Sequence, residues 1–291
     1  MNKDHLANAP LALLLRFPKR KTRKTLSGSI AFAGSLELRI AETKKEIRKA
    51  QRVRYKVFFE EGGATPDRTA ALIRRDVCRF DKFCDHLLVI DHDARDRFGR
   101  KKKKVVGVYR LLRREVAECN GGFYSAQEYD IAPLLARHAG ARFVELGRSC
   151  VLKPWRSKRV LELLWRGIGA YIEHYRVDAL FGCASFPGVD PARHARALDF
   201  LSRNAGASDE WRVRALENRH VAMQSPAPEP VDARRALADL PPLVKGYLRC
   251  GARFGDGAVI DRQFGTTDVF VVMPVKDIDP RTLGHFGQRA A

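Results

Sequence analysis

Three consecutive stretches of the chain decide its fold: FVELGRSCV at 143–151, SKRVLELLWRGIGAYIEHY at 157–175, and DALFGCA at 178–184. The first predicts a strand over 142–152. The second predicts a helix, because Ser157 can cap its first turn and apolar residues recur every three or four positions. The third predicts a short buried strand. Strand, helix and strand in this order indicate an α/β sheet.

The elements on either side extend this sheet. Leu36, Leu38 and Ile40 alternate with charged residues, which predicts a strand, and Thr43 with Glu46 forms a capping box that opens a helix. Further elements are predicted as follows: antiparallel strands at 87–90 and 105–112 with exposed lysines at 101–104 between them, a helix capped by Ser125 and ending at Arg137, a helix at 191–202, and shorter elements at 244–248, 258–261 and 269–273. This order predicts an α/β fold with a mixed-direction sheet.

Composition limits the class of protein. The 291 residues include 54 Lys and Arg against 34 Asp and Glu, a net charge of +20, with 45% hydrophobic residues. A chain of this kind builds a folded core and favours acidic partners such as an acidic protein, nucleic acid or an anionic membrane. The six cysteines are scattered singly, which is typical of a reducing compartment. Cys78, Cys84 and His86 lack zinc-site spacing, so we expect no metal.

The first residues differ from the rest. Lys3, Arg16 and the basic run between Lys19 and Lys24 give the first thirty residues a net charge of about +6. We interpret residues 1–34 as a basic N-terminal tail, either solvated or acting as a membrane-surface anchor through its leucines and lysines. Residues 35–291 form the folded domain in this interpretation.

Charged residues embedded in apolar sequence are the candidates for chemistry, because a buried charge is costly unless it is paired or used. They are Arg54, Asp81, Asp85, Arg110, Glu145 and Arg148. One hypothesis is a buried ion-pair network that holds a helix to the sheet. The other is a pocket for a small zwitterion, in which Glu145 accepts a proton and Gly147 permits a bulge that redirects a side chain.

The same residues carry a family resemblance. The segments are RYKVF at 54–58, DKFCDHL at 81–87, GVYRLL at 107–112, ELGR at 145–148, WRVRAL at 211–216, LPPLVKGYLR at 240–249 and FGTTDVF at 264–270. In this order they resemble the ornithine-lipid N-acyltransferases and, less closely, the shorter acyl-homoserine lactone synthases. Both are GNAT acyltransferases. The resemblance runs from about residue 36 to 273.

This resemblance implies a GNAT fold and a specific reaction. A 3-hydroxyacyl chain would pass from acyl carrier protein to the α-amine of ornithine, giving lyso-ornithine lipid without a bound cofactor or a metal. By position, Glu145 would be the catalytic base, and Arg54, Asp81, Asp85, Arg110 and Arg148 would bind the substrates.

The turn before the best-defined helix departs from the GNAT pattern. Enzymes that use coenzyme A commonly have a glycine-rich turn here, whereas this chain has no glycine between Gly147 and Gly167. Instead it has four cations, Lys153, Arg156, Lys158 and Arg159. Cations at a helix N-terminus suit a phosphodiester and the acidic face of a carrier protein, although a merely solvated turn is the alternative.

Two other functions compete with this hypothesis. A lactone synthase would use S-adenosylmethionine as acceptor, and the extra C-terminal third argues against it. A basic nucleic-acid- or membrane-binding protein would use the net charge itself, but no zinc-finger spacing or RNA-binding motif is present. We therefore expect no nucleic-acid partner, and an enzyme that is cytoplasmic and peripheral at the inner face of the membrane.

Overall fold

The computed structural model describes residues 25–224 and 232–278 of the 291-residue chain. Within these residues the strands are β1 Ser29–Ala33, β2 Leu36–Ile40, β3 Asp85–Asp91, β4 Lys104–Arg113, β5 Tyr129–Asp130, β6 Phe143–Val151, β7 Ala179–Pro187, β8 Arg214–Ala215, β9 Arg253–Asp261 and β10 Thr266–Pro274. The helices are α1 Lys44–Tyr55, α2 Arg68–Ile73, α3 Arg114–Glu118, α4 Ala132–Arg137, α5 Lys158–Tyr175, α6 Ala195–Ala205, α7 Ala233–Asp239 and α8 Pro242–Arg249.

The strands form one sheet in the order β1-β2-β3-β4-β6-β7-β10-β9-β8-β5. Neighbouring strands are antiparallel except for the pairs β6/β7 and β8/β9, which are parallel. The β6–α5–β7 unit supplies the first parallel pair, as a helical crossover does in α/β proteins. The predicted class is confirmed: an α/β fold with a mixed, mainly antiparallel sheet flanked by helices.

Local signals in the sequence account for the two helices nearest the site. Thr43 and Glu46 form the predicted capping box at the start of α1, each side chain accepting from the other residue's backbone N–H at 3.3 and 3.2 Å. Ser157 caps α5 by accepting from the backbone N–H of Val160. α5 lies close to the sheet at Gly167, where an added Cβ would come within 2.8 Å of the Leu87 side chain.

Two regions differ from the sequence-based expectation. Ser125 does not cap a helix that runs to Arg137; residues 125–127 form a single short 3-10 turn, β5 follows, and α4 starts only at Ala132. The reason is tertiary, because the Ser125 hydroxyl donates to Glu145 on β6 instead. Residues 29–33, expected in the N-terminal tail, form edge strand β1 against β2. Residues 1–24, which hold most of the predicted anchor, lie outside the described residues.

The helix α1 ends in a feature that shapes the site. Residues 56–60 continue it as one π-helical turn, in which the backbone N–H of Glu61 donates to the carbonyl oxygen of Lys56 at 2.9 Å. Such turns widen a helix and are frequent at functional sites. Gly62 and Gly63 follow this turn, and the chain leaves the helix there.

β6 and β7 separate halfway along their length. Their pairing runs from Phe143/Ala179 to Leu146/Gly182 and then stops, although both strands continue. At this point a Cβ on residue 182 would lie 2.2 Å from the Leu146 carbonyl oxygen, so glycine alone permits the close approach.

A β-bulge follows on the other edge of β6. Val108 pairs with Cys150 and Arg110 with Gly147, which leaves two residues of β6 opposite the single residue Tyr109. The bulge predicted near Gly147 is present, but the left-handed residue is Arg148, with φ +53°. β6 therefore changes direction where it leaves β7.

We predict that Gly182→Ala lowers the free energy of unfolding by roughly 1–3 kcal/mol, because the new methyl group overlaps the Leu146 carbonyl oxygen. Urea denaturation followed by circular dichroism measures this. The control is Gly169→Ala on α5, where an added Cβ meets nothing within 4 Å and helix propensity favours alanine by up to about 1 kcal/mol. Equal stability of Gly182→Ala and the unaltered chain would contradict the close approach.

Candidate active site

A cavity of about 480 Å³ opens where β6 and β7 separate. Its walls come from β4, β6, β7, the β9–β10 hairpin, helix α8 and the π turn after α1. The residues that line it include Phe58, Gly62, Gly63, Tyr109, Arg110, Tyr124, Ser125, Glu145, Gly147, Arg148, Ser149, Cys183, Ser185, Leu243, Tyr247, Asp261, Phe264 and Asp268. Of the six charged candidates from the sequence, the cavity brings together three: Arg110, Glu145 and Arg148.

Glu145 is buried on β6 and is held by one short segment. Its Oε1 accepts from the backbone N–H of Ser125 at 2.7 Å and from the Ser125 hydroxyl at 2.6 Å. Its Oε2 accepts from the backbone N–H of Tyr124 at 3.0 Å. These three bonds fix the carboxylate in one orientation at the cavity wall. The Ser125 hydroxyl also contacts Cys183, whose Sγ is 3.6 Å from Ser125 Oγ.

Arg148 turns back over the cavity because of the bulge. Its guanidinium lies over the rings of Tyr124 and Phe264, at 4.7 and 4.4 Å from their centroids. Its Nε is 3.3 Å from an Asp76 carboxylate oxygen. The Arg110 guanidinium also lies over the Tyr124 ring, 5.4 Å from its centroid. The β4–β6 wall of the cavity therefore carries two guanidinium groups held by aromatic rings and carboxylates.

Arg54 and Asp81 do not line the cavity. Arg54 is fully buried on α1 and forms a bidentate pair with Asp81, at 2.8 and 2.7 Å, while its Nε is 2.9 Å from Asp76. Asp81 also contacts Arg110 at 3.3 Å, which connects this network to the cavity wall. Burial opposes ionisation of Asp81, but the hydrogen bond and charge of Arg54 prevail and lower its pKa. The arrangement corresponds to the ion-pair network that was the alternative hypothesis for these residues.

Asp85 lies apart from Asp81 and from the cavity. Asp81 belongs to a 3-10 turn at residues 79–82, whereas Asp85 is the first residue of strand β3. Asp85 accepts from the Tyr171 hydroxyl of α5 at 2.6 Å and is 3.5 Å from Arg113. The described contacts of Asp85 therefore join α5 to the sheet.

The four cations of the basic turn, Lys153, Arg156, Lys158 and Arg159, are all exposed. Arg156 donates to the carbonyl oxygen of Val151 and pairs with Glu61 at 2.5 Å. Glu61 directly precedes Gly62 and Gly63, which line the cavity. The basic turn is thus attached to the rim of the cavity.

Part of the cavity wall is acidic, which the sequence reasoning missed. Glu128, Asp261 and Asp268 are buried and have carboxylate oxygens within 4.8 Å of one another. Burial, with the neighbouring Asp268 and Asp261, raises the pKa of Glu128 to about 7. Burial likewise raises the pKa of Asp268 to about 6. The sequence does contain a signal for Asp268, because this residue is a charge inside the apolar stretch TTDVFVVMP. The same criterion selected Glu145.

The contacts of Cys84 and His86 are with groups other than a metal site, and the sequence had named both, with Cys78, as residues without zinc-site spacing. The His86 ring Nε2 is 2.9 Å from the carbonyl oxygen of Asp81, and burial raises the pKa of the Cys84 thiol to about 12. Within residues 25–224 and 232–278, the group of carboxylate, imidazole and thiol side chains with metal-like spacing is the acidic one at residues 128, 261 and 268.

Comparison with known proteins decides the family. Residues 53–166 match the family model described as the acetyltransferase (GNAT) domain. The L-ornithine N(alpha)-acyltransferase of Agrobacterium fabrum is 49% identical over 94% of this chain and 92% of its own length. The enzyme of the same name from Rhizobium meliloti is 50% identical over 88% of this chain and 86% of its own. This chain belongs to the L-ornithine N(alpha)-acyltransferase family.

Membership makes the chain a GNAT acyltransferase, and it removes the alternative of a basic protein without catalysis. Among solved structures, an N-acyl amino acid synthase from uncultured soil microbes aligns with a TM-score of 0.42 and 10% identity, over 83% of this chain and 92% of that one. The homoserine lactone synthase LasI aligns with a TM-score of 0.41 and 12% identity, over 88% and 98%. No helix among the described residues is long and apolar enough to cross a membrane.

We predict that Arg54→Met lowers the free energy of unfolding by about 3–5 kcal/mol, because it leaves Asp76 and Asp81 buried without their main cation. Thermal and urea unfolding of the full chain measure this. Arg74→Met is the control, since Arg74 is exposed and solvent screens its pair with Glu60, so its loss should leave stability nearly unchanged. A folded Arg54→Met variant of normal stability but weaker acceptor binding would instead assign Arg54 to the substrate site.

Proposed function

We propose that this acyltransferase transfers a 3-hydroxyacyl chain from acyl carrier protein to the α-amine of ornithine, forming lyso-ornithine lipid. The observation that carries the proposal is one cavity with two guanidinium groups on its β4–β6 wall and carboxylates on its β9–β10 wall. An α-carboxylate and a side-chain ammonium require opposite charges of this kind. The names of the relatives support ornithine as the acceptor.

The acceptor amine must lose a proton before or during its attack on the thioester carbonyl. Glu145 receives this proton, either directly or through the Ser125 hydroxyl, which is hydrogen-bonded to it. The amine nitrogen then forms the new C–N bond, the tetrahedral intermediate collapses, and the C–S bond breaks. The nitrogen loses a second proton as the amide forms. One of the two protons goes to the sulfur of the departing phosphopantetheine thiolate, and the other is released from Glu145 to solvent, so that the products are the amide, the free thiol and one proton.

The separation of β6 from β7 suits the developing oxyanion. The ladder between the two strands ends at Leu146 and Gly182, so the β6 backbone beyond this point faces the cavity rather than a paired strand. Backbone N–H groups in a pocket of this kind stabilise negative charge on the carbonyl oxygen of the thioester. The arrangement needs neither a metal nor a cofactor beyond the donor itself.

The basic turn provides the docking site for the donor in this proposal. Lys153 and Lys158 are exposed near the N-terminus of α5, and Arg156 links the turn to the cavity rim through Glu61. The phosphodiester of phosphopantetheine binds these cations, and its thioester end enters the cavity. Apolar residues of the lining, among them Phe58, Leu243 and Tyr247, receive the start of the acyl chain.

We also propose that the enzyme is cytoplasmic and works at the inner face of the membrane. Its product would be an amphiphile, which favours release at a bilayer surface. The net charge of +20 supports attraction to anionic lipid.

Glu145→Gln is expected to lower turnover by about 10²-fold, because glutamine cannot accept the ammonium proton. The assay uses the purified full chain, a 3-hydroxyacyl carrier protein and labelled ornithine, with mass spectrometry of the lipid product. Glu118→Gln, an exposed carboxylate on α3, is the control and should retain full turnover. Near-normal turnover in Glu145→Gln would remove this residue as the base, and no product from the unaltered chain would refute the proposed reaction.

Lys153→Glu combined with Lys158→Glu is expected to raise KM for the acyl carrier protein at least tenfold with little change in kcat, because both cations face solvent on the docking surface. The matched control is Lys101→Glu with Lys102→Glu, a pair of exposed lysines in the β3–β4 connection. If both double variants change KM equally, net charge alone is responsible and the docking site is wrong.

A further inference from the structure

Three buried carboxylates at and behind the cavity wall come from separate parts of the chain. Glu128 precedes β5, Asp261 is the last residue of β9, and Asp268 lies within β10. Each is at least nine-tenths buried, and their carboxylate oxygens lie within 4.8 Å of one another. Asp261 and Asp268 line the same cavity as Glu145 and Arg148. We call these three residues the acidic cluster.

The cluster is under-compensated. Among the described residues, the cation within ion-pair distance is Arg219, whose Nη2 is 3.8 Å from Glu128 Oε1. The Oδ1 atom of Asp268 and the Oε2 atom of Glu128 have no hydrogen-bond partner, and the neutral side chains near these carboxylates, Ser185 and Thr266 beside Asp268 and Cys183 beside Glu128, only partly offset the rise in their pKa. Asp261 Oδ1 accepts from the backbone N–H groups of Gln263 and Phe264, at 2.8 and 3.0 Å. Three carboxylates therefore have one guanidinium at ion-pair distance, and the charge of Arg148 acts on Asp268 from farther away.

Burying three carboxylates with so little compensating charge destabilises the folded protein unless a further cation binds among them. A buried carboxylate without a partner loses its hydration, and it usually avoids this desolvation penalty by taking up a proton. The raised pKa values of Glu128 and Asp268 express this cost in the ligand-free protein. A cation that reaches the cluster through the cavity would relieve it.

We propose that the acidic cluster is the subsite for the side-chain ammonium group of the acceptor amino acid. The inference rests on the proposed function and assigns residues for acceptor choice within it. An ammonium group has three N–H donors and matches the carboxylates of the cluster. Arg148, which lines the same cavity, is available for the α-carboxylate, and Glu145 lies on the same strand.

A divalent metal ion fits the cluster less well. Mg²⁺ needs six ligands in an octahedron and Ca²⁺ six to eight oxygens. Here Asp261 Oδ1 is already engaged by two backbone N–H groups, and Arg219 adds positive charge beside Glu128. The cluster is thus better suited to one monovalent cation carried on a substrate.

The subsite explains how the enzyme distinguishes acceptors. An amino acid with an apolar side chain of the same length would leave the Asp268 and Glu128 oxygens buried and unpaired. Sites built to bind a polar group reject an analogue without it by large factors for this reason. Diamino acids are therefore the expected acceptor class.

The test compares ornithine with norleucine, in which a methyl group replaces the δ-ammonium. Asp268→Asn and, separately, Glu128→Gln are expected to lower kcat/KM for ornithine by about 10²-fold and 10-fold, with norleucine changed less than threefold. Glu128→Gln removes a poorly compensated buried carboxylate, so it should fold even if Asp268→Asn does not. Asp256→Asn, an exposed carboxylate on β9, is the matched control.

The outcomes separate this inference from the proposed function. If the unaltered chain does not acylate ornithine, the proposed function fails. If it does, and both cluster variants keep the preference of the unaltered chain for ornithine over norleucine, the subsite is refuted while the function stands. Activity that disappears with EDTA and returns with Mg²⁺ or Ca²⁺ would assign the cluster to a metal and also overturn the inference.

A pH profile supplies a readout that a purely structural role would not change. The ratio of kcat/KM for ornithine to that for norleucine should rise between pH 6 and 8, because Glu128 and Asp268 ionise over this range and bind an ammonium only when charged. Loss of the α-amine proton changes kcat/KM for both acceptors in the same way, so its effect largely cancels in the ratio. The charged and titratable groups that bear on Glu128 are Asp261, Asp268, Cys183 and Arg219, and those that bear on Asp268 are Asp261 and Arg148. The Tyr129 hydroxyl is coupled to both carboxylates. A flat ratio would contradict the subsite.

Discussion

The separation of β6 from β7 is the constraint on which the rest of the site depends. Two parallel strands normally stay paired, because their backbone hydrogen bonds are strong and costly to leave unmade. Here Gly182 brings the strands into closest approach beside Leu146, and the bulge at Arg148 then directs β6 away. The space between them becomes the cavity, and every element that lines it is placed relative to this opening.

The buried charges around that opening fall into two groups with different roles. Arg54 is matched by Asp76 and Asp81 with short, partly bidentate contacts, so the network contributes rigidity beneath the β4–β6 wall. Asp268 and Glu128 have carboxylate oxygens left without partners. In a protein interior a paired network such as that of Arg54 is stable by itself, whereas carboxylate oxygens without partners destabilise the fold until a cation binds them. The contrast separates groups that support the site from groups available to a substrate.

The donor and acceptor in the proposed reaction approach from different parts of this arrangement. The Arg156–Glu61 pair attaches the exposed cations before α5 to the rim, whereas Asp261 and Asp268 of the acidic cluster line the cavity itself. Glu145 is on β6 at the wall of the same cavity, fixed by bonds from Tyr124 and Ser125. Positioning of this kind lowers the entropic cost of bringing an amine and a thioester together.

Local signals were enough to predict some elements from the sequence, such as the capped start of α1 at Thr43 and Glu46 and the amphipathic helix α5. Glu145 and Arg148 could also be chosen as candidates, because a charge inside apolar sequence is conspicuous. By contrast, the hydrogen bond from Ser125 to Glu145 and the pairing of Arg54 with Asp81 outside the cavity follow from the three-dimensional arrangement. Hydrogen bonds between residues 20 or more positions apart depend on how strands are ordered in space, and that order leaves no local trace in the chain.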